Sequence, residues 1–119
     1  MNEIKVSGEV VSRPKIFRTV NNRVICKFTL KVMREFGNGS VYIPCNLYGE
    51  DAEVFFGSAD IGARCGIQGE IIAVEKDIQV AGKIFILMDE RSKRAHRAYL
   101  ASRLRKTGSP QILPLGVRR

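Results

Sequence analysis

From Val24 to Met33 apolar and polar positions alternate without a break, with Val24, Cys26, Phe28, Leu30 and Val32 on one side and Ile25, Lys27, Thr29, Lys31 and Met33 on the other. A side-chain period of two marks a strand with one face toward a core. Ser40 to Glu50, "SVYIPCNLYGE", repeats the pattern: Val41, Ile43, Cys45 and Leu47 point one way, Tyr42, Pro44, Asn46 and Tyr48 the other. The glycine-rich "FGNGS", residues 36 to 40, joins the two as a hairpin that tolerates positive φ. A first strand from Glu3 to Ser12 alternates Ile4, Val6 and Val10 with Lys5, Ser7 and Glu9. Gly8 in its middle marks a bend or bulge of the kind found at the corner of a small barrel. Pro14 then breaks the ladder, and Asn21-Asn22 supplies a turn.

Beyond Tyr48, "GEDAEVFFGS" reads as a short helix, with acids at its start suited to the positive end of the helix dipole and Gly57 as a left-handed cap. A fourth strand follows from Ala63 to Val74, with Gly66 and Gly69 as bend points, and a fifth from Lys83 to Asp89, joined by "EKDIQVAG" as a loop. The fifth strand is apolar on both faces, so it is either sandwiched or lies at a subunit contact. Three strands, a short helix and two more strands give an all-β fold. It is the five-stranded oligonucleotide/oligosaccharide-binding (OB) barrel, with one short helix between strands three and four. An immunoglobulin-like sandwich would need about seven strands. The organisation expected is an OB domain over residues 1–90 and a basic tail over residues 91–119. The tail is partly helical, with Ser92 as N-cap and Ala95, Ala98, Tyr99 and Leu104 as a weak apolar stripe, before the proline-broken "SPQILPLGVRR".

A length of 119 residues suits one small domain with appendages. The three cysteines, Cys26, Cys45 and Cys65, are widely spaced within strand-like runs and read as small buried hydrophobes, neither a disulfide framework nor a zinc site. The one histidine, His96, lies among arginines, which leaves no material for a nucleophilic triad. No enzyme, metal or cofactor is expected. The N-terminus carries charges inside its apolar run, unlike a signal peptide, which implies a cytoplasmic protein without a membrane partner.

Charge changes the picture most, because it is segregated. Residues 1–34 hold eight Lys/Arg and two Glu, residues 35–90 three Lys/Arg and ten Asp/Glu, and residues 91–119 nine Lys/Arg and no acid: +6, −7 and +9, the +8 of the whole chain. A local positive field of this kind finds its commonest partner in a polyanion. A basic tail kept for solubility is the plainer alternative.

Two long stretches carry a family resemblance. "NEIKVSGEVVSRPKIFRTVNNRVICKFTL" (Asn2 to Leu30) and "YGEDAEVFFGSADIGARCGIQGEI" (Tyr48 to Ile71) resemble the bacterial single-stranded DNA-binding protein family, through Gly8, Pro14, Gly49, Gly62 and Gly69 in particular. The resemblance implies an OB domain that binds single-stranded DNA, with RNA as the alternative strand, in a homotetramer or a dimer. It also makes Tyr42 and Tyr48 stacking positions on the DNA face, the side to which the alternation already assigns them. Lys27 and Lys31, with Arg13, Lys15, Arg18 and Arg34 near the strand ends, would line a phosphate track, and Phe36 in the hairpin would be a third ring or fold back on the barrel. The plainer reading is rim packing for the tyrosines and an ordinary solvated face for the lysines.

The chain departs from the family's pattern in three places. It has no Trp, the connection between strands four and five lacks an aromatic, and the end, "LGVRR", is not the acidic, hydrophobic tip that recruits replication and repair proteins. That recruitment is not expected here. The leading expectation is sequence-nonspecific single-stranded DNA binding in replication, recombination or repair, in a protein of phage, plasmid or other accessory-replicon type. The alternatives are a primosome-type OB adaptor and a structural OB subunit of a larger complex.

Overall fold

In the computed structural model, which describes residues 1–107 with side chains through residue 104, the alternating segments curl into a closed barrel. The strands are β1 (Ile4–Val10), β2 (Lys15–Arg18), β3 (Val24–Met33), β4 (Ser40–Tyr48), β5 (Arg64–Val74) and β6 (Asp77–Leu87), with α1 (Gly49–Ser58) after β4 and α2 (Glu90–Thr107) after β6. Hydrogen bonding runs β1-β5-β6-β4-β3, and β1 returns to β3 at Glu9↔Lys31 and Val10↔Leu30 to close the ring. This is the expected five-stranded OB barrel, with α1 between the third and fourth of its long strands. "SPQILPLGVRR", read from sequence as outside the barrel, lies outside the described residues.

Closure depends on glycine at two crossings. A Cβ on Gly8 would sit 2.2 Å from the carbonyl oxygen of Lys31, where β1 passes from β5 to β3. A Cβ on Gly69 would sit 2.0 Å from that of Ala81, at the register shift where β5 bulges against β6. Neither site has room for a side chain.

The inward faces meet as the alternation requires. Val10, Cys26, Phe28, Leu30, Cys45, Leu47, Cys65, Ile67 and Val80 fill the barrel, and Phe55 of α1 plugs its end, stacked on Phe28 at 4.4 Å and edge-on to Phe85 at 5.3 Å. All three cysteines are buried and none is in a disulfide. Burial holds the Cys45 and Cys65 thiols far above their usual range, from 9.0 up to about 12.

Four local expectations are corrected. Lys15–Arg18 forms an additional edge strand on β3, too short for a period of two to register. The segment read as the loop "EKDIQVAG" is mostly strand: β6 starts at Asp77, and Glu75-Lys76, with Glu75 at φ 59°, is the whole turn. Gly57 is not a left-handed cap, because α1 continues to Ser58, whose buried hydroxyl donates to the Val54 carbonyl at 2.7 Å while the Ala59 amide closes on Phe55. Ser92 is not the N-cap of the C-terminal helix. The Asp89 carboxylate accepts the Ser92 amide at 2.9 Å, so the helix starts at Glu90. The same carboxylate accepts the Arg64 amide at 2.8 Å, tying the helix to β5. Burial alone would push the Asp89 carboxyl up, but its hydrogen bonds from Arg64 and Ser92 hold it below the usual carboxylate range.

Candidate nucleic-acid interface

The ladder between β3 and β4 decides what the outward face presents. Partners directly opposite in an antiparallel pair share a face. The register therefore builds four outward rungs: Lys31 with Tyr42, Thr29 with Pro44, Lys27 with Asn46, and Ile25 with Tyr48. On the other side of β3, β2 extends two of these rungs, placing Lys15 beside Lys27 and Phe17 beside Ile25. Tyr42 and Tyr48 are 59% and 37% exposed, so their rings are available to a ligand. Six residues of strand separate them by about 20 Å, with the Lys15–Lys27–Asn46 rung between.

That middle rung is polar and braced. Asn46 is 3% exposed, accepts from Lys27 Nζ at 3.2 Å and donates to Gln79 Oε1 of β6 at 2.8 Å. Arg13, Lys15, Lys27, Pro44, Asn46 and Gln79 line an open groove of about 420 Å³. Beyond it a second groove, of about 690 Å³, runs past Tyr48 between Arg23 and Ile72. One face thus alternates flat rings with cations over a shallow channel, which suits a chain of bases joined by phosphates.

The remaining sequence-derived candidates are less concentrated. Arg13 borders the groove while reaching Asp60 at 3.6 Å, an exposed pair of small energetic weight. Arg18 is drawn off the face: its register partner is Val24, on the inward side, and its guanidinium donates to Asn22 Oδ1 in the β2–β3 turn. Arg34 sits at the base of the β3–β4 hairpin, its amide bonded to the Gly39 carbonyl at 3.1 Å and its guanidinium over Gly37. Phe36 does not fold back; at the hairpin tip it is 85% exposed.

Sequence reasoning missed four participants. Phe17 joins the Tyr48 rung from β2, but a four-residue edge strand has no periodicity to reveal it. Asn46 and Gln79, 33 residues apart, meet only through the parallel β4–β6 pairing that closes the barrel. Arg23 reaches the second groove from the β2–β3 turn.

Comparison with known proteins agrees with the barrel. The family model described as the single-strand binding protein family matches residues 1–84. Among solved structures, the second single-stranded DNA-binding protein of Mycobacterium smegmatis superimposes with a TM-score of 0.65 at 20% identity, covering 72% of this chain and 87% of that one. The SSB domain of a protein from Synechococcus sp. gives 0.64 at 10% identity, with 71% and 93% covered. At such identities these two likenesses concern the fold. Among curated proteins no sequence matches significantly.

Proposed function

The chain belongs to the single-strand binding protein family, a family of single-stranded DNA binders, and from that premise we propose how it holds its strand. Bases stack on Tyr42 and Tyr48, with Phe17 on the far side of Ile25 from Tyr48 and Phe36 at the hairpin tip, while Lys15, Lys27, Lys31 and Arg13 neutralise phosphates between the rings. The observation that carries this reading is the register, which sets Lys31 opposite Tyr42 and the Lys15–Lys27 rung between the two tyrosines on one outward face. A ring fixed on a strand gains about 1–3 kcal/mol per stacked base and does not ask which base it is, so the binding is sequence-nonspecific and serves replication, recombination or repair. No bond is made or broken in this role, and no cofactor enters it.

We further propose that the protein works as a homo-oligomer in the cytoplasm, at the nucleoid. Ile84 and Ile86 stand 51% and 62% exposed on the outer side of the β1–β5–β6 sheet and line neither groove, so their burial between copies would leave the grooves open. Buried thiols outside any disulfide accord with a reducing compartment. Among the described residues, no helix is long and apolar enough to cross a membrane.

The test is titration of the full chain with fluorescent oligo(dT) and oligo(U) at several salt concentrations, with the mass of the assembly read by light scattering. Four phosphates neutralised predict a log–log salt slope of about −3. Weak binding with a flat slope would instead identify a primosome-type adaptor or a structural OB subunit.

A further inference from the structure

The family match stops at residue 84, before α2. Yet α2 is docked in its own chain, on the acidic start of α1. Phe85 and His96 rings lie 6.5 Å apart, the Tyr99 hydroxyl meets Glu53 Oε1 at 3.5 Å, and Arg103 meets Glu50 Oε2 at 3.7 Å while lying 5.6 Å over the Tyr99 ring. Glu50 is two residues past Tyr48, so these contacts bring the far end of α2 to the end of the tyrosine face.

Both sides of the helix bear on a polyanion. Inward, Arg103 pairs with Glu50 and the Tyr99 hydroxyl donates to Glu53, which lessens the repulsion of a phosphate chain running past Tyr48, although Asp51 of the same turn stays exposed. Outward, Lys93, Arg94 and Arg97 are exposed within an arc of roughly 100°, opposite the buried Ser92 and half-buried Tyr99. Among the described residues Lys93 and Arg94 form no ion pair, and Arg97 shares an exposed contact with Glu90 at 3.8 Å, easily exchanged for a phosphate. From Arg103 to Lys93 the helix rises about 15 Å.

We propose that α2 extends the single-stranded DNA site beyond the barrel: a strand leaving Tyr48 crosses the start of α1 where Arg103 screens Glu50 and lays its phosphates along Arg97, Arg94 and Lys93. This rests on the tyrosine face being the DNA face, and it assigns the basic helix a contact that the family domain does not contain. The charge pattern selects a phosphate chain over a protein partner, because the exposed arc carries three cations against one carboxylate, and no acid follows Glu90 in the sequence.

The experiment compares the full wild-type chain with a K93Q/R94Q/R97Q variant, using oligo(dT) of about 6 and about 20 nucleotides, short and long against the roughly 4–16 that one OB fold occupies. Glutamine keeps the helix, and far-ultraviolet circular dichroism verifies it. The short oligomer is expected to bind both proteins equally. For the long one, the variant's log–log salt slope is expected to be shallower by about 2, as three lost phosphate contacts require, so that the wild type loses about 20-fold more affinity between 50 and 200 mM salt. Should the triple variant unfold, single R94Q must lower the slope by about 0.7. Equal slopes on the long oligomer overturn the proposal, as does a variant changed only in assembly mass, which would make the arc a protein contact. A Y42A/Y48A chain run in parallel separates the two readings. If it binds like wild type the tyrosine face itself is wrong, whereas if it binds poorly while the triple variant is unaffected, the extension alone fails.

Discussion

Replacing Tyr42 and Tyr48 by alanine, singly and together, probes the stacking reading most directly. The structure separates the two rings by about 20 Å of strand, well beyond the roughly 7–10 Å within which substitutions couple, so their losses should add to within about 0.5 kcal/mol. Each stacked base is worth about 1–3 kcal/mol, so each single variant should weaken oligo(dT) binding about 5- to 150-fold and the pair by about 2–6 kcal/mol. Additivity should vanish on an oligomer too short to span both rings, where either ring alone suffices. Tyr48 is the less exposed of the two and shares its rung with Ile25 and Phe17, so its alanine variant should also lower the melting temperature slightly, which Tyr42→Ala should not. The assay is fluorescence anisotropy at fixed salt, with Tyr42→Phe and Tyr48→Phe as controls that keep the flat ring and remove the hydroxyl. Wild-type affinity in the alanine pair would refute the reasoning. Equal losses from phenylalanine and alanine would refute it too, because the hydroxyl and not the ring would then be the contact.

Further outcomes follow from the fold. Gly8→Ala should lower the urea midpoint by the equivalent of about 3 kcal/mol, since its Cβ meets the backbone of Lys31 and no side chain can yield; an unchanged midpoint would deny the close crossing. The Cys45 and Cys65 thiols, held at about 12, should resist iodoacetamide at pH 8 until the protein is denatured. Because their native pKa values lie above those of the unfolded chain, the stability they confer is whole below about pH 8.5 and drains away as pH rises toward 12, visible as a falling melting temperature. Asp89→Ala should cost about 1–2 kcal/mol of stability through the lost cap. Since the native Asp89 pKa is depressed, the difference between variant and wild type should be constant above about pH 5 and shrink as pH falls below about 4, which parallel melts over pH would show.

What was legible in the sequence is what local periodicity encodes. The alternation through β3 and β4 placed Tyr42 and Tyr48 opposite Cys45 and Leu47, and the structure buries both core residues completely and exposes both rings. Gly8 was legible as a special position, though not the Lys31 carbonyl that makes it one, because that contact spans 23 residues and exists only once the barrel closes. The loop between strands four and five was misread because Gly82 and the polar Lys76, Asp77 and Gln79 look like a linker. In fact Gly82 is packed against Leu47 and Ile67, where a Cβ would lie 2.8–2.9 Å from either side chain, so the glycine belongs to a long strand crossing the barrel. Ser92 failed as a cap for a different reason: Asp89 three residues earlier is an equally good cap, and only the tertiary bond to the Arg64 amide chooses between them.

The charge segregation along the chain acquires its meaning only in three dimensions. The basic first third supplies Lys15, Lys27 and Lys31 to one outward face, so the folded field is concentrated where the rings are. The acidic middle, had it been left bare, would have ended that face abruptly at Glu50, two residues past Tyr48. Arg103 and Tyr99 engage Glu50 and Glu53 there, so that α2 screens part of this acidic turn. On the proposed stacking reading, a face without Trp offers only smaller rings, which shifts a larger share of the expected affinity to cations. A phenol ring on a rigid strand fixes where the bases lie; phosphates neutralised on either side of it determine how steeply the grip weakens as salt rises.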